Sequence, residues 1–300
     1  MRHRRIVLLI ICLALVLSPV THGRIARADE PARVTLRLDW LPTGYHAPLF
    51  FGVARGIYAA HGIDLQINDG KGSAATIQAV AGGSDTIGLA SLSTMALAVS
   101  KGVPLVAVAG MIQKMPDAVI SLKGSGIETP KDLEGKRYAF VPDDAGARLF
   151  PAFAGTSGID FDKIQKVQVG YATIYTTLLQ GNADFITGWA FTDALKIAKQ
   201  KPIGTLIGFA DHGVNMLSTG FIVTPDTLEH KAPLLKAFLA ATTESFATAD
   251  QDPAAAVDAM MAARPTSDRD LMLEEFKRTP PYLHTANSAG HAFGDRKNVV

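Results

Sequence analysis

Leu38-Asp39-Trp40-Leu41-Pro42-Thr43-Gly44-Tyr45-His46-Ala47-Pro48-Leu49-Phe50 joins a β-like run, Val34 to Leu38, to a helix-like segment from Pro48 to Arg55. The strand stops at a Trp, a Pro/Gly break follows, and Tyr45 and His46 stand just before the helix. Chains that alternate strands and helices place ligand groups at such junctions, because a helix N-terminus offers unpaired N–H donors. Trp, Tyr and His together suit a flat, partly polar small molecule. The same residues also fit a purely structural role, with Trp40 filling the core and His46 capping the helix.

Working outward, the junction repeats. Ile63 to Ile67 alternates as a strand, Gly70 to Ser73 turns into a helical run from Ala74 to Ala81, and Thr86 to Ala90 is a short apolar strand. Ser91-Leu92-Ser93-Thr94 opens a further helix, and Val103 to Ala109 is the next strand. Strands separated by helices of this length predict parallel βαβ units. A second block begins after Ala118 to Leu122. Thr129-Pro130 starts a helix, Arg137 to Val141 is a strand, and Pro142-Asp143-Asp144-Ala145-Gly146 opens a helix through Ala154. Ala183 to Thr187 then runs into Gly188-Trp189-Ala190-Phe191. After Phe221 to Thr224 the remaining segments, Ala232 to Ala249, Pro253 to Ala263 and Ser267 to Arg278, are all helical, as expected of helices that cover a sheet already built. The pattern predicts an α/β protein of two lobes, the first from residues 29–119 and 221–300 and the second from 120–220. An internal echo supports paired lobes: Ala81 to Gly88 and Gln180 to Thr187 each read as helix end, glycine turn, Asp and apolar strand.

The first 28 residues are of another kind. Arg2, His3, Arg4 and Arg5 precede an apolar run from Ile6 to Leu17, and Ala26-Arg27-Ala28 is a small-x-small pattern, so residues 1–28 read as a cleaved export signal. The run is shorter than the ~20 residues a membrane span requires. The whole chain carries 29 Lys and Arg against 28 Asp and Glu. Without the five arginines of this segment, 24 basic groups face 28 acidic ones, a net charge near −4 that argues against nucleic acid as a partner. Cys12, the sole cysteine, lies inside the apolar run, leaving the exported part without a thiol for a disulfide, metal or nucleophile. The expected location is a bacterial periplasm.

Motifs for catalysis are missing: there is no G-x-S-x-G, no H-E-x-x-H and no phosphate-cradling loop, and the histidines lack metal-ligand spacing. What recurs instead are four strand-to-helix junctions, Trp40 to His46, Ser91 to Thr94, Pro142 to Arg148, and Thr187 to Thr192. The candidate ligand contacts from them are Trp40, Tyr45, His46, Ser91, Ser93, Asp144, Gly146, Trp189 and Asp193. Ser91 and Ser93 also fit helix capping, and Asp143 and Asp144 also fit stabilisation of the following helix N-terminus. If those acids face a cleft, they take the anion position and repel sulfonate, nitrate or phosphate, which predicts a neutral or weakly basic, planar ligand.

Three segments together resemble a known group. They are Leu38-Asp39-Trp40-Leu41-Pro42 with His46-Ala47-Pro48, then Ala54-Arg55-Gly56-Ile57-Tyr58 with Gly62-Ile63-Asp64-Leu65, then Gly82-Gly83-Ser84-Asp85-Thr86-Ile87-Gly88. With Pro130-Lys131-Asp132-Leu133-Glu134-Gly135-Lys136, they are similar to the thiamine-pyrimidine-precursor-like (NMT1-like) solute-binding proteins of ABC importers, related to sulfonate, taurine and nitrate binders. The resemblance spans roughly Val34 to Gly294. It implies a type II periplasmic-binding fold with a hinge, no enzyme activity and no cofactor. It further implies a monomer that clamps a small heteroaromatic such as a thiamine pyrimidine precursor and delivers it to a membrane permease with its ATPase. In that frame Trp40 is a stacking platform, His46 a polar contact and Trp189 a second aromatic wall. Pyrimidine-precursor binders carry an acid shortly after that second aromatic; here Ala190, Phe191 and Thr192 follow, and Asp193 stands one step beyond. A sulfonate, taurine or nitrate ligand is the alternative. A eukaryotic branch of the family synthesises the pyrimidine itself, against which weigh the export signal and the lack of cysteine and of an iron-ligand set.

Overall fold

The computed structural model describes residues 30–142, 144–265 and 268–283. The expected export signal with Cys12, the acid Asp143 and the tail after Leu283 lie outside the described residues. The chain runs β1 (Ala32–Arg37), a 3₁₀ turn (Gly44–His46), α1 (Ala47–Ala54), α2 (Ile57–Ala60), β2 (Ile63–Asn68), α3 (Ser73–Ala81), β3 (Ile87–Ser91), α4 (Leu92–Ser100) and β4 (Val106–Gly110). Next come β5 (Asp117–Ser121), β6 (Arg137–Phe140), α5 (Ala145–Thr156), β7 (Gln165–Gln168), α6 (Ile174–Leu179), β8 (Phe185–Trp189), α7 (Asp193–Ala198) and β9 (Ile207–Gly208). The last part is β10 (Thr219–Val223), α8 (Pro225–His230), α9 (Ala232–Ala249), α10 (Pro253–Ala263), α11 (Arg269–Lys277) and α12 (Pro280–Leu283).

These strands form two sheets of the same design, ordered β2-β1-β3-β10-β4 and β7-β6-β8-β5-β9. Each is the base of one lobe. The chain passes from the first sheet to the second between Gly110 and Asp117 and returns between Gly208 and Thr219. The boundaries expected at 119/120 and 220/221 fall inside β5 and β10, because an apolar run marks a strand but not the sheet it joins. The sheets are also not wholly parallel. β10 runs antiparallel to both β3 and β4, and β5 antiparallel to both β8 and β9. These two strands are the ones that enter from the other lobe, so no crossover helix orients them with their neighbours.

The echo in the sequence corresponds to real equivalence. α3 leads into β3 and α6 into β8, the central strand of each sheet, through turns at Gly83 and Gly181, each with φ +74°. That backbone region admits glycine without strain. Asp85 and Asp184, just ahead of the two strands, pair with Arg37 and Arg137 of the adjacent parallel strands at 2.8 and 2.7 Å.

In the first lobe, α1 is buried on most of its surface between the sheet and α9 and α10. Gly52 makes the α9 approach feasible, since a Cβ there would lie 2.0 Å from Ser245 Oγ. Phe238 of α9 meets Phe221 edge-on at 5.3 Å and Tyr58 at 5.9 Å, so the C-terminal helices close over the first sheet. The second lobe has its own aromatic core, in which Tyr138 stacks on Phe185 at 4.9 Å and Phe153 on Phe209 at 4.5 Å. Burial of such rings is the main source of stability on each side. Among the described residues no helix is long and apolar enough to cross a membrane.

Candidate functional site

β1 carries its alternating apolar face to Leu38, and the next two side chains diverge. Asp39 turns inward, while Trp40 is 38% exposed and so is not a core residue. The turn at Gly70 holds this strand end in place, its N–H bonded to Trp40 O; a Cβ on Gly70 would come 2.1 Å from the Leu38 carbonyl oxygen. Thr43 then starts the 3₁₀ turn, and His46 closes a capping box with it. The Thr43 N–H donates to His46 Nδ1 at 3.1 Å, so the ring hydrogen sits on Nε2, which donates to Asp39 Oδ1 at 2.9 Å. The Tyr45 hydroxyl lies 2.8 Å from both oxygens of the same carboxylate. Burial, and next the charge of Asp39, push the Tyr45 hydroxyl well above its ordinary pKa. His46 is 0% exposed with both ring nitrogens engaged, so its polar atoms shape the turn from within.

The second junction is α4. Ser91 is its N-cap, accepting the Thr94 N–H at 3.4 Å and lying 2.9 Å from Ser93 Oγ, while the Ser91 N–H donates to Ser73 Oγ. Ser93, Thr94 and Leu97 line a hollow of about 180 Å³ whose far wall is Arg148 and Leu149 of α5. It therefore lies between the lobes.

In the second lobe Asp144 caps α5, accepting the N–H groups of Gly146 at 2.9 Å and Ala147 at 3.4 Å. Its carboxyl is pushed up to about 6, first by burial and then by the charge of Asp193. Gly146 is glycine for a reason of space: a Cβ would stand 2.6 Å from Asp117 Oδ1 and 3.2 Å from both Asp144 Oδ1 and Thr187 Oγ1. Asp117 opens β5 at 2% exposure, and its Oδ2 has no hydrogen-bond partner among the described residues. Burial raises its pKa well above the carboxylate range, and the charges of Asp144 and Asp193 add to the rise. Asp193, at the start of α7, accepts the Trp189 N–H at 2.7 Å and the Tyr175 hydroxyl at 2.6 Å.

Aromatic rings join the two halves. Tyr45 lies 5.4 Å from Trp189 and 5.8 Å from Phe191, and Trp40 lies 5.6 Å from Tyr171. The structure thus brings Tyr45 against Trp189 and Trp40 against Tyr171, keeps His46 inside its own turn, gathers Asp144, Gly146 and Asp193 around Asp117, and leaves Ser91 and Ser93 on the α4 flank. Sequence reasoning missed Asp117, Tyr171, Tyr175 and Glu275. An acid opening an otherwise apolar strand was a usable signal for Asp117; Glu275 lies in a helix so rich in charge that nothing marked it. Among the described residues no group of three or more His, Cys, Asp or Glu is arranged to hold a metal ion.

Residues 43–256 match the model of a family described as NMT1/THI5 like. A 4-amino-5-hydroxymethyl-2-methylpyrimidine phosphate synthase of Legionella pneumophila is 25% identical over 266 residues, 86% of this chain and 82% of the relative. A formylaminopyrimidine-binding protein of Halalkalibacterium halodurans is 22% identical over 279 residues, 91% of this chain and 83% of the relative. Among solved structures, the periplasmic aliphatic sulphonate binding protein SsuA of Escherichia coli superposes with a TM-score of 0.72 at 16% identity, covering 84% of each chain. That likeness shows the fold, two α/β lobes of the periplasmic-binding type.

Proposed function

The chain belongs to the NMT1/THI5 like family, and from that premise we propose that it is the solute-binding subunit of an ABC importer. Its ligand is a small planar heteroaromatic with N–H donors, of the thiamine-pyrimidine-precursor class, held between the lobes and passed to a membrane permease. The protein works in the periplasm as a monomer, after loss of residues 1–28.

One observation carries this reading: the Asp117 carboxyl group is buried with an oxygen that has no hydrogen-bond partner among the described residues, in a cluster with Asp144 and Asp193. An unmet buried acceptor costs about 1–3 kcal/mol, which a donor on the ligand would recover. The α5 N-terminus, the natural anion site, is already filled by the Asp144 side chain. That arrangement favours an amino-substituted ring over a sulfonate or nitrate. Trp40 and Trp189 are the stacking walls, and Tyr45, His46 and Asp39 fix the geometry of the turn between them. The name of the formylaminopyrimidine-binding relative agrees with this class of ligand.

Titration calorimetry of the purified protein with 4-amino-5-hydroxymethyl-2-methylpyrimidine, taurine and nitrate tests the proposal. Binding of the pyrimidine and neither anion is expected; tight taurine or nitrate binding with no pyrimidine signal overturns it. The relative named as a phosphate synthase supports a second reading, an enzyme that makes the pyrimidine. Formation of that product from pyridoxal phosphate by the purified protein would establish it.

A further inference from the structure

Away from the aromatic contacts, the lobes meet along a second seam between α7 and α11. Glu275 of α11 is 0% exposed and serves both sides. Its Oε2 accepts the Gly44 N–H at 2.8 Å, holding the turn that carries Tyr45 and His46. Gly44 is pressed so closely on α11 that a Cβ would lie 2.1 Å from the Met272 carbonyl oxygen. Oε1 has no hydrogen-bond partner among the described residues; Lys196 Nζ of α7 stands 3.8 Å away, within ion-pair range but beyond a hydrogen bond. α7 begins at Asp193, which holds the Trp189 backbone. Lys199 and Asp268 add a second pair across the seam. A groove of about 290 Å³ runs between Leu195 and Lys199 on one side and Leu271 and Glu274 on the other.

We propose that Glu275 is a positioning residue that couples closure of the lobes to the ligand-binding turn, with Lys196 as its counter-ion. This rests on the solute-binding reading above. With the lobes parted along the seam, the free oxygen of Glu275 meets water. With them together it is dry, and the charged groups around it are Lys196, Asp193 and Asp268, of which Lys196 is the cation. A buried charge that loses its partner is far more costly than a pair removed whole. Lys196→Met therefore opposes closure more than Glu275→Gln does, and the double variant regains part of what Lys196→Met loses, while Lys196→Arg stays near the parent.

Spin labels at S100C and Q168C, exposed sites on the two lobes, in a C12S background of the full chain, report the inter-lobe distance with and without 4-amino-5-hydroxymethyl-2-methylpyrimidine. Calorimetry reports affinity. The expected result is a longer distance in K196M, about tenfold weaker binding, and values for E275Q/K196M between K196M and the parent. A K196M distance distribution equal to the parent's, or a double variant equal to the sum of the two singles, overturns the coupling. The ligand-free distances decide this even if the pyrimidine does not bind; that failure counts against the solute reading alone.

Discussion

The hydroxyl of Tyr45 sits 2.8 Å from both carboxylate oxygens of Asp39, and His46 Nε2 donates to the same group at 2.9 Å. One buried acid thus organises the turn at the mouth of the first lobe. Asp39→Asn takes the charge out of these hydrogen bonds and should destabilise the fold by about 2–3 kcal/mol. Denaturant unfolding measures it; an unchanged midpoint would show that the network does not hold the turn.

Trp40 lies outside the core, 38% exposed and tilted 49° to Tyr171. Trp40→Ala should weaken pyrimidine binding by about 1–3 kcal/mol while leaving the melting temperature nearly unchanged. Lost stability with intact affinity would return this residue to packing.

Asp117→Asn replaces a buried acid whose ionised form is opposed by burial and by the charges of Asp144 and Asp193. At pH 8 the variant should melt at a higher temperature than the parent, because the fold no longer holds a group that its surroundings keep from ionising while the unfolded chain releases its proton. It should also bind the pyrimidine more weakly, by about 0.5–1.5 kcal/mol, the worth of a hydrogen bond between neutral groups. Equal affinity in calorimetry would remove Asp117 from the ligand.

The Asp144 carboxyl titrates at about 6 in the fold against 3.8 ordinarily. Its folded form holds a proton that the unfolded chain has released, so this group favours folding at low pH and the benefit is lost as pH rises from about 4 through 6. Asp144→Asn keeps a capping side chain without the charge. It should be more stable than the parent at pH 8, by on the order of 1 kcal/mol for a half-buried group, and nearly equal at pH 4. Thermal melts at the two pH values that differ by a constant amount would contradict this.

Most elements were legible because period-two and period-three-to-four apolar patterns report burial directly. Val34 and Leu36 alternate as β1 does, and the run from Pro48 to Arg55 falls on α1. Capping was legible too: Ser91 and Asp144 are the types that cap, and both do. The antiparallel β5 and β10 were not, since strand direction leaves no trace in an apolar run.

The sequence by itself determined the alternation of strands and helices, the return of the C-terminal helices and the junctions where Trp40, Tyr45, His46, Trp189 and Asp193 stand. Local pattern and residue type suffice for these, because they depend on neighbours within a few positions. Tertiary structure alone decided which of two neighbouring side chains faces solvent, so that Trp40 is exposed while Asp39 is buried. It also decided that Asp117 and Glu275, 158 positions apart by number, each carry a buried oxygen without a hydrogen bond among the described residues. Burial of a charge is a property of everything packed around it, and that packing is set by segments far apart in the chain.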